Sequence, residues 1–352
     1  MQFFHISNII ESDHLRIIAK LMKTLLIKYL KNYQFIKILL ACVPIAAYST
    51  NAAPMQSNFA YITNQGDNTV SVIDTANNQV INTIKVSKAP VGVAVSSKLH
   101  RAYISNVESQ EISIIDTQNN SVIETLKING SPVGLALSPD SKTLYVADWF
   151  ANKVLAIDTK NTEHMREVNV GDAPAGLVVS PNKQWLYVAN RDSNDIAIIN
   201  TKTLKIKKRI NVGKHPFGLL ISKSGRLLIS VNVKEDSVSI INIRTNAQQK
   251  IKVGYHPYCA AMTNDDKTLY VTNTQDDNVT VIDMVERKVI ATINVGSTPE
   301  GISIDQVNHR AYVANWGSNN ISVIDTKTNQ LLTTIKTGEK SRAFGQFILS
   351  EQ

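Results

Sequence analysis

One pattern recurs seven times along this chain and leaves few folds open to it. An aromatic or aliphatic residue falls at Tyr61, Tyr103, Tyr145, Tyr187, Ile229, Tyr270 and Tyr312, spaced by 42 residues except for one step of 41. Three residues later comes Asn64, Asn106, Asp148, Asn190, Asn232, Asn273 or Asn315. An Ile-Asp-Thr-like end follows at Asp74, Asp116, Asp158, Asn200, Asn242, Asp283 and Asp325. A Pro-x-Gly anchor sits at Pro90, Pro132, Pro174, Pro216, Pro257 and Pro299, with Cys259 in place of the glycine at the fifth. Each unit reads as four short β-rich runs, such as 102–106, 111–115, 122–128 and 133–137, separated by Asn, Asp, Gly and Ser turns. Val70/Val72, Val279/Val281 and Ile321/Val323 alternate with period two, which favours strand over helix. A period near 42 with four strands per unit is that of a propeller blade. The expected fold is all-β: a seven-bladed β-propeller of four-stranded blades.

The stretch Tyr312-Val-Ala-Asn315 with Ile324-Asp325-Thr326, and its six cousins, resembles the YVTN repeat of seven-bladed propellers. That family includes bacterial periplasmic or secreted proteins and archaeal surface-layer proteins. The resemblance covers residues 59–348 and implies a fold, because the motif is structural. It also implies an order within the blade. The strand after Pro-x-Gly lines the central channel, the Tyr strand is second, the Ile-Asp-Thr strand third, and the last is outermost. The chain then begins on a second strand, and Ala343–Ile348 has the composition of the missing inner strand of the first blade. Such closure removes open sheet edges and accounts for Ser341-Arg342-Ala343 where Pro-x-Gly is expected.

At 352 residues the chain exceeds one ordinary core, whereas a repeat array buries each unit only against its neighbours. One domain over 53–352 is therefore expected, preceded by an export leader over 1–52. In that leader Lys23, Lys28, Lys31 and Lys37 precede an apolar run from Ile38 to Ala47 and a small-residue exit, the layout of a signal peptide. Met22 is an adequate start, and cleavage after Ala52 is expected. A rival reading makes Cys42 the lipidated residue of a lipoprotein box. The apolar run is too short for a stable membrane span, and the location implied is periplasmic or secreted. The formal net charge is +8, of which the leader contributes +4. With Cys259 alone in the repeats, neither an internal disulfide nor a thiolate metal cluster is available there.

Catalytic signatures are missing from the sequence: no Gly-x-Ser-x-Gly, no phosphate-cradling glycine loop, no His-Glu-x-x-His, no Cys-x-x-Cys-His. No cofactor is implied. The tyrosines and aspartates that recur once per blade solve a blade problem, so the informative residues are those that break the symmetry. The residues flanking each Pro-x-Gly proline ring one mouth of the channel. Three repeats place small groups there, Ala89/Val91, Ser131/Val133 and Ala173/Ala175. The other four place His215/Phe217, His256/Tyr258, Thr298/Glu300 and Ser341/Arg342. Lys88 and Lys214 stand beside them, and the loops after Tyr-Val-x-Asn add Trp149-Phe150, Arg191, Lys234 and Trp316 to the same face. Aromatic rings for stacking beside His, Lys and Arg suit a ligand with an anionic group; drifted rim residues are the plain alternative.

The first functional reading is a binding or scaffold propeller that holds a protein, an envelope polymer or a small anion at this mouth. Single-stranded nucleic acid is a minor variant, since the body carries only +4. The second is an enzyme or redox accessory, because related seven-bladed propellers include quinoprotein and haem d1 dehydrogenase-like domains and lyases that use a channel-mouth His and Glu. Under it, His215, His256 and Glu300 would act as base and acid, or the two imidazoles would share a metal.

Overall fold

The structure is a computed structural model that describes residues 20–25 and 58–350. The chain divides into two units, 1–54 and 55–352. Of the first, residues 20–25 form a short exposed helical segment. The apolar run, the cleavage point and Cys42 lie outside the described residues. No described helix is long and apolar enough to cross a membrane.

The second unit is a ring of seven antiparallel sheets. Blade 1 holds β1 (Phe59–Asn64), β2 (Thr69–Asp74) and β3 (Gln79–Lys85). Blade 2 holds β4 (Pro90–Ser96), β5 (Arg101–Asn106), β6 (Glu111–Asp116) and β7 (Ser121–Lys127). Blade 3 follows with β8 (Pro132–Leu137), β9 (Thr143–Asp148), β10 (Lys153–Asp158) and β11 (Met165–Asn169). Blade 4 is β12 (Pro174–Val179), β13 (Trp185–Asn190), β14 (Asp195–Asn200) and β15 (Ile206–Asn211). Blade 5 is β16 (Pro216–Ile221), β17 (Leu227–Asn232), β18 (Ser237–Asn242) and β19 (Gln248–Lys252). Blade 6 is β20 (Pro257–Met262), β21 (Thr268–Asn273), β22 (Asn278–Asp283) and β23 (Lys288–Asn294). Blade 7 is β24 (Pro299–Asp305), β25 (Arg310–Asn315), β26 (Asn320–Asp325) and β27 (Gln330–Lys336). The chain ends on β28 (Phe344–Gln346) and β29 (Ile348–Leu349).

Second and third strands are buried almost throughout, as in β1, β9 and β25, because each sheet is covered on both faces by its neighbours. Outermost β7 instead alternates exposed and half-buried positions. The blade tyrosines fill the space between sheets and also bond across it. Tyr61, Tyr270 and Tyr312 donate their hydroxyls to Asn120, Asn329 and Asn78 of the following blade. In four blades the Asn of the Tyr-Val-x-Asn strand donates to two side chains of the third strand, as Asn315 does to Asn320 and Ser322, whereas Asp148 accepts the turn amides of Ser131 and Ala151. The glycine of Pro-x-Gly answers a close approach in blade 3, where a Cβ on Gly134 would stand 2.0 Å from the backbone oxygen of Ala175, whereas blade 6 holds Cys259 at this position.

The ring closes in blade 1. β29 pairs antiparallel with β1, matching Phe59 with Leu349, and the Tyr61 amide donates to the Phe347 oxygen at 2.9 Å. Ser341 takes the place of the proline, bridging to Asn64, and Lys340 the place held by His215 and His256: its amide donates to Asn319 as theirs donate to Asn194 and Asp236. The inner strand is not continuous, however. Gly345, at φ 119, lets β28 leave blade 1 and pair parallel with the inner edge of β4. This detour carries Phe344 into the channel.

Candidate functional site

Because four antiparallel strands alternate in direction, the Pro-x-Gly turns and the turns after Tyr-Val-x-Asn share one end of the ring. His215 and His256 hold left-handed backbone there, at φ 52 and 53, uncommon for side-chain-bearing residues. Ala89, Ala173 and Thr298 share the conformation, so the blade imposes it and only the side chain is particular to blades 5 and 6.

Below the mouth the channel is filled. Phe217 and Tyr258 stack at 4.3 Å between centroids, and Phe344 joins them at 4.8 and 6.2 Å. All three are buried. Arg342 lies against this cluster, with Nε 2.5 Å from a Glu300 carboxylate oxygen. It donates to the Tyr258 hydroxyl at 2.6 Å and to Gln65 at 3.2 Å. Burial raises the Glu300 pKa above the usual carboxylate value and the Arg342 charge opposes that rise. Glu300 keeps 10 % of its side chain exposed and Arg342 21 %.

Above this floor sits a second group. Trp149 lies 5.9 Å from Phe217 between ring centroids, and the Arg191 guanidinium stands 5.6 Å from the Trp149 ring. Arg191 and Lys234 both lower the pKa of His215 and of His256, adding to the larger effect of burial. His215 also acts on His256. His215 Nδ1 is buried and makes no hydrogen bond, whereas His256 Nδ1 lies 3.0 Å from the Thr274 hydroxyl. On the far side, Trp316 donates to Gln65 at 3.2 Å under the Lys340 ammonium, 5.3 Å from its ring. Phe150 projects into solvent, 82 % exposed.

The residues singled out from sequence therefore fall into three groups. Phe217, Tyr258, Glu300 and Arg342 form the floor. Trp149, Arg191, Lys234, His215 and His256 form a half-rim over it, and Trp316 reaches the floor through Gln65. Lys88 and Lys214 are exposed, and their ammonium groups make no contact with the cluster. Sequence reasoning passed over Phe344, Gln65 and Lys340. The first two owe their roles to ring closure, which sets residues about 280 apart side by side; Lys340 could have been found by counting 42 from Thr298. Among the described residues no group of three or more His, Cys, Asp or Glu could hold a metal, so the two imidazoles lack a third ligand. Cys259 is buried and its thiol is pushed up by burial, which leaves it a packing group.

The other end of the channel is open. A cavity of about 680 Å³ lies there, walled by half-buried Leu137, Val178, Leu220 and Met262, with Lys98 and Lys223 at its lip. Phe344 lines it too and partitions it from the mouth.

Both half-rim imidazoles sit below the ordinary value of 6.5, so the fold favours their neutral form. The stability this contributes is present above pH 6.5 and is lost as pH falls below it. The melting temperature should therefore drop on acidification through pH 6, and less so in His215→Asn/His256→Asn protein. An unchanged slope in that variant would assign the acid sensitivity to other groups.

Residues 41–183 match the family model described as YNCE-like beta-propeller, and residues 152–255 that described as lactonase, 7-bladed beta-propeller. No curated protein matches the chain in sequence. Among solved structures, a Kuenenia stuttgartiensis hydrazine synthase chain is 23% identical with a TM-score of 0.69, over 76% of this chain and 92% of its own. The dihydro-heme d1 dehydrogenase NirN, in complex with DHE, is 17% identical with a TM-score of 0.62, over 79% and 63%. A streptogramin B lyase is 15% identical with a TM-score of 0.61, over 70% and 82%. At these identities what is shared is the fold.

Proposed function

We propose that the protein is an exported, non-catalytic binding propeller of the YVTN-repeat kind, which seats a ligand or protein partner on the half-rim of Trp149, Arg191, His215, Lys234 and His256. One observation carries this reading. Blades that otherwise repeat closely depart from their own template at one mouth, and the departing side chains converge over a sealed floor. The floor gives a ligand a surface to rest on and no passage beyond. Trp149 offers a ring face, and the Arg191 guanidinium stands over it while paired to Asp192, so a ligand anion would compete with that carboxylate. His215 Nδ1 is a buried polar atom that a ligand could satisfy.

The acid–base alternative is weakened by Glu300, whose carboxylate is tied to Arg342 beneath the rim. The neighbours' names suggest chemistry in a shared fold, and fold does not carry chemistry.

The test is capture of partners from the native envelope by the wild-type protein and by Trp149→Ala/Arg191→Ala protein. A stack and a cation–π contact are each worth about 0.5–2 kcal/mol, so binding should fall about tenfold or more while the melting temperature stays within a few degrees. Capture that survives the double substitution would remove the mouth from consideration. Amino-terminal sequencing of exported protein should begin at Ala53; a lipid-linked Cys42 would replace the signal-peptide reading with anchoring.

A further inference from the structure

The repeats also serve as a template for charge. Residues 174–252, which make blades 4 and 5, hold fourteen Lys/Arg against four Asp/Glu. The rest of the ring, 59–173 and 253–350, holds seventeen against twenty-two. The four acids of blades 4 and 5, Asp192, Asp195, Glu235 and Asp236, all lie at the mouth end, between second and third strands. At the opposite end stand Lys183, Lys202, Lys205, Lys223, Arg226 and Arg244, all exposed. Of these six only Lys183 is ion-paired, to Asp140 at 3.5 Å. Their turns are held by other bonds: the Thr201 hydroxyl donates to the Lys183 oxygen at 2.6 Å and the Ile243 amide to the Arg226 oxygen at 3.0 Å, while the Lys223 and Ser224 amides donate to the Asp266 carboxylate of blade 6 at 2.8 and 3.1 Å. The ammonium and guanidinium groups themselves, Lys183 aside, are left to solvent.

Two substitutions sharpen the asymmetry. Five blades place an aspartate at the turn between third and outer strands; blades 4 and 5 place Asn200 and Asn242. The turn asks only for an acceptor. Asn200 takes the amides of Lys202 and Thr203 at 3.1 and 2.9 Å, and Asn242 those of Arg244 and Thr245 at 3.0 and 3.1 Å. Asp116 takes the equivalent pair at 2.8 and 3.0 Å. The amide thus does the aspartate's structural work without its charge, and does so in the two blades whose turns bear the cations.

We propose that this end of blades 4 and 5 docks on an anionic phospholipid surface. No large apolar residue of 174–252 is exposed, so the contact is electrostatic and needs no insertion. Single-stranded nucleic acid would want an open ring to stack on, whereas Trp185 is half-buried and capped by the Lys207 ammonium at 4.5 Å. Six cations spread over neighbouring turns suit a plane of phosphates.

The experiment is sedimentation of the full chain with phosphatidylglycerol vesicles and with phosphatidylcholine vesicles, at low and high salt. Binding should require phosphatidylglycerol and vanish at high salt. Asn200→Asp/Asn242→Asp restores the charge that five blades already carry, so it should melt like wild type. Taking roughly a factor of five per charge at the surface, vesicle binding should weaken about twentyfold. Equal binding to both lipids, or an unaffected variant, overturns the proposal. An oligonucleotide bound in place of vesicles, and lost in the variant, would make the partner a nucleic acid and overturn the membrane assignment. Capture of a mouth partner does not enter this readout, so the two readings fail separately.

Discussion

Protein lacking Ala343–Gln352 should melt more than about 10 °C below the full chain, or collect as aggregate. The segment supplies Phe344, Phe347, Ile348 and Leu349, all buried. At about 1.5–3 kcal/mol for each large apolar side chain, their loss rivals the roughly 5–15 kcal/mol that holds a typical domain folded. The truncation also strips β1 of its inner partner β29, leaving an open strand edge, and unplugs the channel between Phe217 and Tyr258. Calorimetry and light scattering of the two proteins decide the matter. A truncated protein that melts with the full chain would mean that the ring is held without its closing strand.

Arg342→Ala should cost about 3 kcal/mol. That is the low end for removing one partner of a buried ion pair, because a fifth of the guanidinium side chain still meets solvent. The lost charge opposed the rise of the Glu300 pKa, so the carboxyl should titrate higher still in the variant. A group raised in the folded state stabilises at low pH and loses that contribution as pH rises through its folded pKa. The deficit against wild type should therefore be small near pH 4 and grow toward neutrality. Arg342→Ala/Glu300→Gln should recover much of the loss at pH 7. A deficit that ignores pH and survives the second substitution would point to packing against Tyr258 instead of charge.

The seven blades, their strand order and the closing strand could be read from sequence because each repeat checks the others. Tyr61 through Tyr312 and the Pro-x-Gly glycines report contacts that most blades make, with Ile229 in blade 5 and Cys259 in blade 6 as exceptions. The floor could not be read the same way. Glu300 and Arg342 are 42 residues apart and look like two independent rim positions. Pairing of 340–342 with blade 1 sets Arg342 beside Gln65, and the detour of β28, permitted at Gly345, adds Phe344; such contacts follow from three-dimensional closure, with no local signal. The reverse holds for Asn200 and Asn242. Both stand in the sequence as departures from the repeat, but their charge acquires meaning once their turns are placed on the same end of the ring as Lys183, Lys223 and Arg226.

The closing pair of blade 1 also sets how the molecule meets a pulling force. Phe59 begins β1 and Leu349 ends β29, and the two face each other in antiparallel register. Tension applied through both ends of the domain would peel this pair one hydrogen bond at a time, the weak direction for a sheet, instead of shearing several bonds together. The pair that closes the ring is therefore also the seam at which it would open when tethered at both ends.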